Sequence, residues 1–522
     1  MPVNIQIYDT TLRDGAQAQG ISFSPEDKKD ILIKRDEFGA DFVEGGWPGS
    51  NPKDDEFFQK AGELRLENAR LVAFGSTRKH GSKASEDSNL LAISRSSAGW
   101  ACIFGKSWDF HVTDALRIPL EDNLEMIRDS VSFLRSTGMH VMFDAEHFFD
   151  GYRANREYAL SALAAAAGGG AEWLVLCDTN GGSMPEQVAE AVRDVVPRFG
   201  VPVGIHCHND SGLATACSLA AVDAGATMVQ GTVNGIGERC GNADLCSVIP
   251  NLMIKKGRSC PKIDLKGLTR LSRFVGETAN ITDLDSLPYV GEKAFAHKGG
   301  VHVSAIQKDP RTYEHITPES VGNRRRILVS DMSGRASIVE KLKEFGMAVE
   351  SEESNRILTT VKYMESKGYQ FEGADASFEL LVKRAKGEVD TPFEVVGFRL
   401  FMDEVGRKGF TSEASVKVVD RYGNVEHTAS DGNGPVNALD NALRKAIGRF
   451  FPVLNDIRLT DYKVRVLDEK SATASSVRVL IRSTDGKHSW TTVGVSDNVI
   501  EASMTALVDS MEYAILRSEG RC

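Results

Sequence analysis

The sequence predicts an α/β protein: a TIM (β/α)8 barrel, a mostly helical linker region, and a C-terminal α+β domain with an internal repeat. Three observations predict it. Over about the first 255 residues, a short apolar run ending in polar residues alternates eight times with an amphipathic stretch. The competing doubly wound sheet calls for a G-x-G-x-x-G turn after its first strand, and that turn is absent. Finally, two segments near the C-terminus align with one another, S-V-K-V-V-D-R-Y-G-N with S-V-R-V-L-I-R-S-T-D-G-K.

Taken in order, the strand-like runs are Ile5–Tyr8, Asp41–Glu44, Leu71–Phe74, Trp100–Phe104, His140–Phe143, Trp173–Cys177, Pro202–His208 and Thr227–Val233. Helical patterns fall between them: Pro25–Phe38 with Ser24 as N-cap, Asn123–Ser136, and Met184–Val196 with Ser183 ahead of it. Beyond the barrel, Leu265–Glu277, Ile338–Glu344, Ser354–Ser366 and Ala376–Lys386 carry apolar residues at helical spacing. The polar, Gly-rich tract His297–Arg335 between them is too long for a bland connector, which marks it as functional. In each copy of the repeat, two alternating strands flank a Gly turn and an Ala-rich helix follows. A pseudo-twofold module of this kind suits a ligand site or a subunit contact. The expected division is 1–261 for the barrel, 262–390 for the helical linker and 391–522 for the C-terminal domain.

Composition narrows the function classes. The chain has 522 residues, 41% hydrophobic and 26% charged, an ordinary globular balance that fits about two to four domains. A net charge of −11 argues against a large nucleic-acid-binding face. No run approaches the roughly eighteen apolar residues of a membrane span. Neither nucleic acid nor membrane is an expected partner. The opening M-P-V-N-I-Q-I-Y-D has no basic segment before an apolar one, so a secretory leader is not expected. The eight cysteines form no C-x-x-C pair, which fits a reducing cytoplasm and disfavours thiolate-bound zinc.

The densest chemistry lies at the predicted strand ends. His206 and His208 stand two apart on the seventh strand, so both imidazoles face one side, about 6.6 Å apart along the strand. Cys207 then faces the helix layer. Strand ends line the active site of a TIM barrel, and the first strand delivers Asp9 and Asp14 to the same rim. The turn after the eighth strand offers the amide of Asn242. Two His, a carboxylate and an amide leave positions open for a bidentate oxo acid, and such N/O ligation suits Mn, Zn, Co or Mg as the divalent metal ion. Glu146, at the end of the fifth strand, is either an ion-pair partner or a general acid/base facing the metal. Arg13 is either a salt-bridge partner of Asp14 or a clamp on a carboxylate or developing oxyanion. Thr179 either contacts a substrate carboxylate or satisfies backbone in a tight loop.

These segments together resemble a known family. D-T-T-L-R-D-G-A-Q at the first strand, H-C-H-N-D at the seventh and G-I-G-E-R-C-G-N at the eighth are similar to those of the isopropylmalate, homocitrate and citramalate synthases. The similarity continues through A-H-K-G-G-V-H-V-S-A and S-G-R to D-G-N-G-P-V-N-A-L, and so spans essentially the whole chain. The resemblance implies that acetyl-CoA loses a methyl proton, that the carbanion attacks the ketone of a 2-oxo acid held on the metal, and that the thioester is then hydrolysed. It implies Asp14, His206 and His208 as metal ligands, with Asn242 a weaker or outer one. Arg13 matches the residue that stabilises oxyanionic charge, Gln17 and Thr179 match substrate contacts, and Glu146 matches the catalytic carboxylate. His302 and Tyr313 match a catalytic His and Tyr that reach over the barrel of a partner chain, in a homodimer or larger homo-oligomer with shared active sites.

The turn after the second strand, E-G-G-W-P-G-S-N-P-K from Glu44, departs from the E-x-G-F-P form of isopropylmalate synthases. It resembles longer bacterial members of the family whose oxo acid is pyruvate rather than 2-oxoisovalerate. A bulkier wall favours the smaller methyl ketone. The C-terminal repeat resembles the family's regulatory domain, which implies isoleucine as feedback effector, with leucine next. A reading of another class, a catalytically inactive barrel that senses an amino acid, is opposed by Arg13, Glu146, His302 and Tyr313 occurring together.

Overall fold

The computed structural model describes residues 4–281, 283–298, 300–328, 351–371, 373–404, 410–467, 475–486 and 488–522. The expected helix Ile338–Glu344 and the S-G-R motif lie outside these residues.

Eight parallel strands close a barrel: β1 (Gln6–Asp9), β2 (Phe42–Gly46), β3 (Arg70–Ser76), β4 (Trp100–Lys106), β5 (His140–Glu146), β6 (Trp173–Asp178), β7 (Val203–Cys207) and β8 (Met228–Gly231). Closure is made at β1, where Tyr8 stands opposite Phe42 on one side and Gln230 on the other. The period-two alternation of strand side chains sorts the apolar residues. Outward-facing Ile7, Val43, Ala101, Phe143, Leu174, Ile205 and Val229 are buried under the surrounding helices. Inward-facing Tyr8, Phe42, Val72, Cys102, Met142, Val175 and Met228 fill the barrel itself. Most strands give apolar residues to both layers, and inward positions near the carboxyl ends, such as Asp144, Glu146 and His206, are polar.

The helix Pro25–Phe38 forms where the sequence places it. Ser24 and Asp27 make a reciprocal capping box, with Asp27 N–H donating to Ser24 Oγ at 3.1 Å and Ser24 N–H to Asp27 Oδ2 at 2.8 Å. The predicted Asn123 start comes later than the observed helix, Leu120–Ser136. The third expectation needs correction: the helix Pro185–Val195 has Met184, not Ser183, at its N-cap. Ser183 instead donates its hydroxyl to Asp178 Oδ1 at 2.9 Å, so it ties the helix entry to the end of β6.

Chain packing divides the molecule into two compact units, Met1–Phe295 with Ile316–Arg325, and Ala296–His315 with Arg326–Cys522. In the second unit, β9 (Ala296–His297) and β10 (Arg326–Ile327) pair in parallel. Between them lies the helix Gly300–Lys308, so the polar tract is partly helical rather than an open loop. Helices Ser351–Ser366 and Asp375–Lys386 follow. Two antiparallel sheets complete the unit. The first is β11 (Phe393–Glu404), β12 (Phe410–Asp420) and β13 (Val425–Gly432), followed by the helix Pro435–Ile447; the second is β14 (Arg458–Val466), β15 (Val477–Thr484) and β16 (Ser489–Ser496), followed by the helix Val499–Ser518. Each copy of the repeat thus has three strands, not the two expected. The two copies share one core, to which one contributes Leu439 and Leu443 and the other Val479, Ile481 and Leu507.

Candidate active site

The inward positions at the carboxyl ends of the barrel strands build one cavity of about 200 Å³. Arg13, Asp14, Gln17, Trp47, Phe74, Phe104, Asp144, Glu146, Cys177, Thr179, His206, His208 and Glu238 line it.

Asp14 sits in the turn after β1, where its N–H donates to Thr10 O at 2.9 Å. It is almost fully buried. Its Oδ2 lies 3.7 Å from His206 Nε2 and 3.9 Å from His208 Nε2. The two imidazole centroids are 5.1 Å apart, as strand alternation requires of two inward residues. One donor atom from each of the three residues falls within 4.8 Å of the others. Burial pushes the His206 imidazole down to about 3, helped by the adjacent His208, and burial also lowers His208. Both rings are therefore neutral near pH 7. Burial would raise the Asp14 carboxyl, but Arg13 and the two His outweigh it and hold it far below the usual range. Two neutral imidazoles and an ionised carboxylate thus bring one donor atom each close together, a set that a divalent cation would accept. The donor set fits the expected ion.

The residues around this triad fix its geometry. His206 Nδ1 is 3.0 Å from Gln230 Oε1, and Gln230 Nε2 donates to Asp144 Oδ1 at 3.2 Å. With Nδ1 carrying the proton toward Gln230, Nε2 is left as the ligand atom. Asn242 is brought beside His208 by a bridge between the two backbones. It meets Asp14 through its nitrogen, Nδ2 donating to Oδ1 at 3.0 Å, while its own Oδ1 is buried without a hydrogen-bond partner. As placed, Asn242 orients Asp14. Of the two carboxylates expected at this rim, Asp9 does not reach it. It pairs with the fully buried Arg35 of the helix Pro25–Phe38 and accepts from Thr11 N–H at 2.6 Å. The reason is parity, since Tyr8 faces inward and Asp9 must face the helices.

Of its two expected readings, Arg13 shows the salt bridge to Asp14. Its Nε donates to Glu44 Oε2 at 2.7 Å and its Nη1 to Asp14 Oδ2 at 3.0 Å, while the guanidinium carbon lies 3.8 Å from the Phe74 ring centroid. Burial would lower its pKa, but Glu44 and Asp14 raise it further, so Arg13 is a fixed cation. Glu44 is fully buried and also accepts from Tyr8 Oη at 2.8 Å and from the Thr10 hydroxyl. Glu146 pairs with Lys106 at the end of β4. Thr179 accepts from His147 N–H at 2.8 Å through a hydroxyl whose proton remains available to the cavity. His302 and Tyr313 belong to the second unit, where their rings stack at 4.1 Å and 28° on exposed residues.

Sequence reasoning missed Glu44, Lys106 and Gln230. A signal existed for each: a charged or amide side chain at inward parity within an otherwise apolar strand.

Comparison with known proteins extends the geometry along the chain. The HMGL-like family model matches residues 4–275, the homocitrate synthase post-HMGL domain-like model 289–369, and the LeuA allosteric (dimerisation) domain model 372–515. An (R)-citramalate synthase of Aquifex aeolicus is 53% identical over 99% of this chain and 99% of its own. One of Geobacter sulfurreducens is 53% identical over 99% of this chain and 98% of its own. A probable 2-isopropylmalate synthase of Methanopyrus kandleri is 34% identical over 97% of this chain and 98% of its own. With a barrel, post-barrel and C-terminal module in this order and full-length relatives at this identity, the chain belongs to the isopropylmalate synthase/homocitrate synthase family of acyl-transferring enzymes, in its (R)-citramalate synthase branch.

Proposed function

We propose that this chain condenses acetyl-CoA with pyruvate to give (R)-citramalate and CoA. The observation that carries this reading is the convergence of Arg13, Asp14, Glu146, His206 and His208 on one cavity, in a chain that matches (R)-citramalate synthases from end to end. A methyl proton of acetyl-CoA is removed, and the resulting carbanion forms a C–C bond to the ketone carbon of pyruvate. The ketone oxygen takes a proton, and water then cleaves the thioester to release CoA and a carboxylate. A divalent ion held by Asp14, His206 and His208 supplies Lewis acidity to the ketone. Arg13, locked by Glu44, presents a permanent charge where oxyanionic charge develops. Thr179 and Gln17 are assigned to the substrate carboxylate, and Glu146, oriented by Lys106, to proton movement within the cavity. His302 and Tyr313 are assigned to proton transfer from a neighbouring chain.

Oligomerisation has support in the C-terminal sheets. Val396, Phe398, Phe401 and Met402 of β11 and Val464 and Val466 of β14 are exposed on strands at the ends of their sheets, an apolar surface that a second copy would bury. We assign isoleucine as feedback effector of this module, since the product is a branched-chain precursor. CoA release tests the whole reading. It should require both pyruvate and a divalent ion, cease with a chelator, return on adding metal, and fall with isoleucine. Turnover untouched by saturating chelator would exclude the metal-assisted reaction, and a higher kcat/KM on 2-oxoisovalerate would move the chain to the isopropylmalate reading.

A further inference from the structure

The cavity has one apolar corner. Phe74 and Phe104 stack at 5.5 Å and 22°, and Trp47 sets its ring edge-on to both, at 5.6 Å and 87° from Phe74 and 5.8 Å and 83° from Phe104. Apart from Cys177, every other lining residue is polar or charged. The carboxylate and ketone of a 2-oxo acid need the polar walls, so its alkyl group is left with the aromatic corner.

Trp47 is not free to yield to a larger group. Its indole N–H donates to Asn89 Oδ1 at 2.6 Å. Asn89 is itself held, Nδ2 donating to Ser76 O at 2.8 Å and its N–H to Asp87 Oδ1 at 3.0 Å. The Trp47 N–H donates to Asp54 Oδ2 at 2.8 Å, and Asp54 pairs with the buried Lys28 at 2.5 Å. The backbone makes room for this arrangement: a Cβ on Gly75 would stand 2.8 Å from Asn89 Oδ1 and 2.4 Å from Ile93. Swinging the indole aside would break its hydrogen bond and leave a part-buried donor and acceptor unpaired.

We propose that Trp47 is the specificity-determining wall that confines the alkyl group of the 2-oxo acid to the size of a methyl, and that Asn89 is the positioning residue that holds the wall in place. This rests on the reading that the chain condenses acetyl-CoA with a 2-oxo acid. The test is CoA release by wild type, W47L, W47F, N89L and N89D with pyruvate, 2-oxobutyrate and 2-oxoisovalerate. W47L should raise the kcat/KM ratio of 2-oxoisovalerate to pyruvate by about tenfold or more, mainly through KM for the branched acid. N89L should shift the ratio the same way by a smaller factor. N89D keeps an acceptor for the indole but loses the Nδ2 bond to Ser76 O, so its ratio should fall between those of wild type and N89L, whereas a merely structural role for Asn89 would lower kcat/KM on all three acids alike and leave the ratio unchanged. W47F keeps an aromatic ring and carries the test if W47L does not fold. A ratio that stays within about twofold of wild type in every folded Trp47 and Asn89 variant overturns the proposal. The underlying reading fails differently, by wild type releasing no CoA with any of the three acids.

Discussion

Gln230 and Asp144 show how much of this site depends on residues beyond the metal-binding triad. Gln230 has no solvent exposure, yet it spans the gap between His206 and Asp144 with one hydrogen bond to each. Asp144 also accepts from Cys102 Sγ at 3.0 Å. Burial, reinforced by nearby Glu44, pushes the Asp144 carboxyl up to about 7 from its ordinary 3.8. The sign of the consequence follows from proton counting. As pH rises from about 4 to about 7, the unfolded chain has already released this proton while the folded one still binds it, so stability falls across that window. Asp144→Asn keeps an acceptor for Cys102 and Gln230 but cannot ionise. It should be more stable than wild type at pH 7.5 by on the order of a few kcal/mol, with a correspondingly higher Tm, and the gain should vanish near pH 4. Thermal melts of the chelated proteins across this range check it, and a gain independent of pH would assign the effect to packing instead.

At the scale of elements, the turn after β8 carries the metal site's tightest steric demand. Gly237 has φ +156°, and a Cβ there would stand 2.1 Å from Asn242 Nδ2, the atom that orients Asp14. Gly237→Ala should therefore weaken divalent-ion binding by about ten- to a hundredfold while the barrel stays folded. Calorimetric titration of the metal-free protein, beside its circular dichroism spectrum, reads both outcomes, and wild-type affinity would remove Asn242 from the metal site's support. Elements like this turn were only partly legible in the sequence. All eight barrel strands were, because each alternates between two buried layers and ends in polar residues. The capping box at Ser24 was legible for the same local reason. The strands β11 and β14 were not. β11 has a bulge between Val395 and Gly397, and β14 leaves Val464 and Val466 exposed, so neither shows one apolar face and one polar face. Within the site, the H-x-H pair and Asp14 carried a spacing signal, whereas Glu44, Lys106 and Gln230 became visible only when the barrel closed. Asp9 was misplaced because its position in the motif says nothing about which side of β1 it faces.

The whole molecule raises a question that no single chain answers, namely where His302 and Tyr313 act. They stack on one another in the second unit and are exposed, while the cavity is lined by residues of the first. The match of residues 372–515 to a LeuA allosteric (dimerisation) domain and the exposed apolar faces of β11 and β14 favour assembly from more than one copy. If His302 acts from a neighbouring chain, two inactive variants should rescue each other. His302→Ala alone should lose at least about a hundredfold in turnover, the scale of a lost general acid–base group, and Arg13→Ala alone should also be crippled. Mixed and refolded in equal amounts, about half of the dimers would carry one of each, and each of these would hold one site with both residues intact and one with neither. The mixture should then recover about a quarter of wild-type CoA release, whereas a site built wholly within one chain would stay at the level of the two variants alone. Cross-linking or sizing of the mixture confirms that the chains exchange, so a flat result would place His302 in the same chain as the Arg13 it serves.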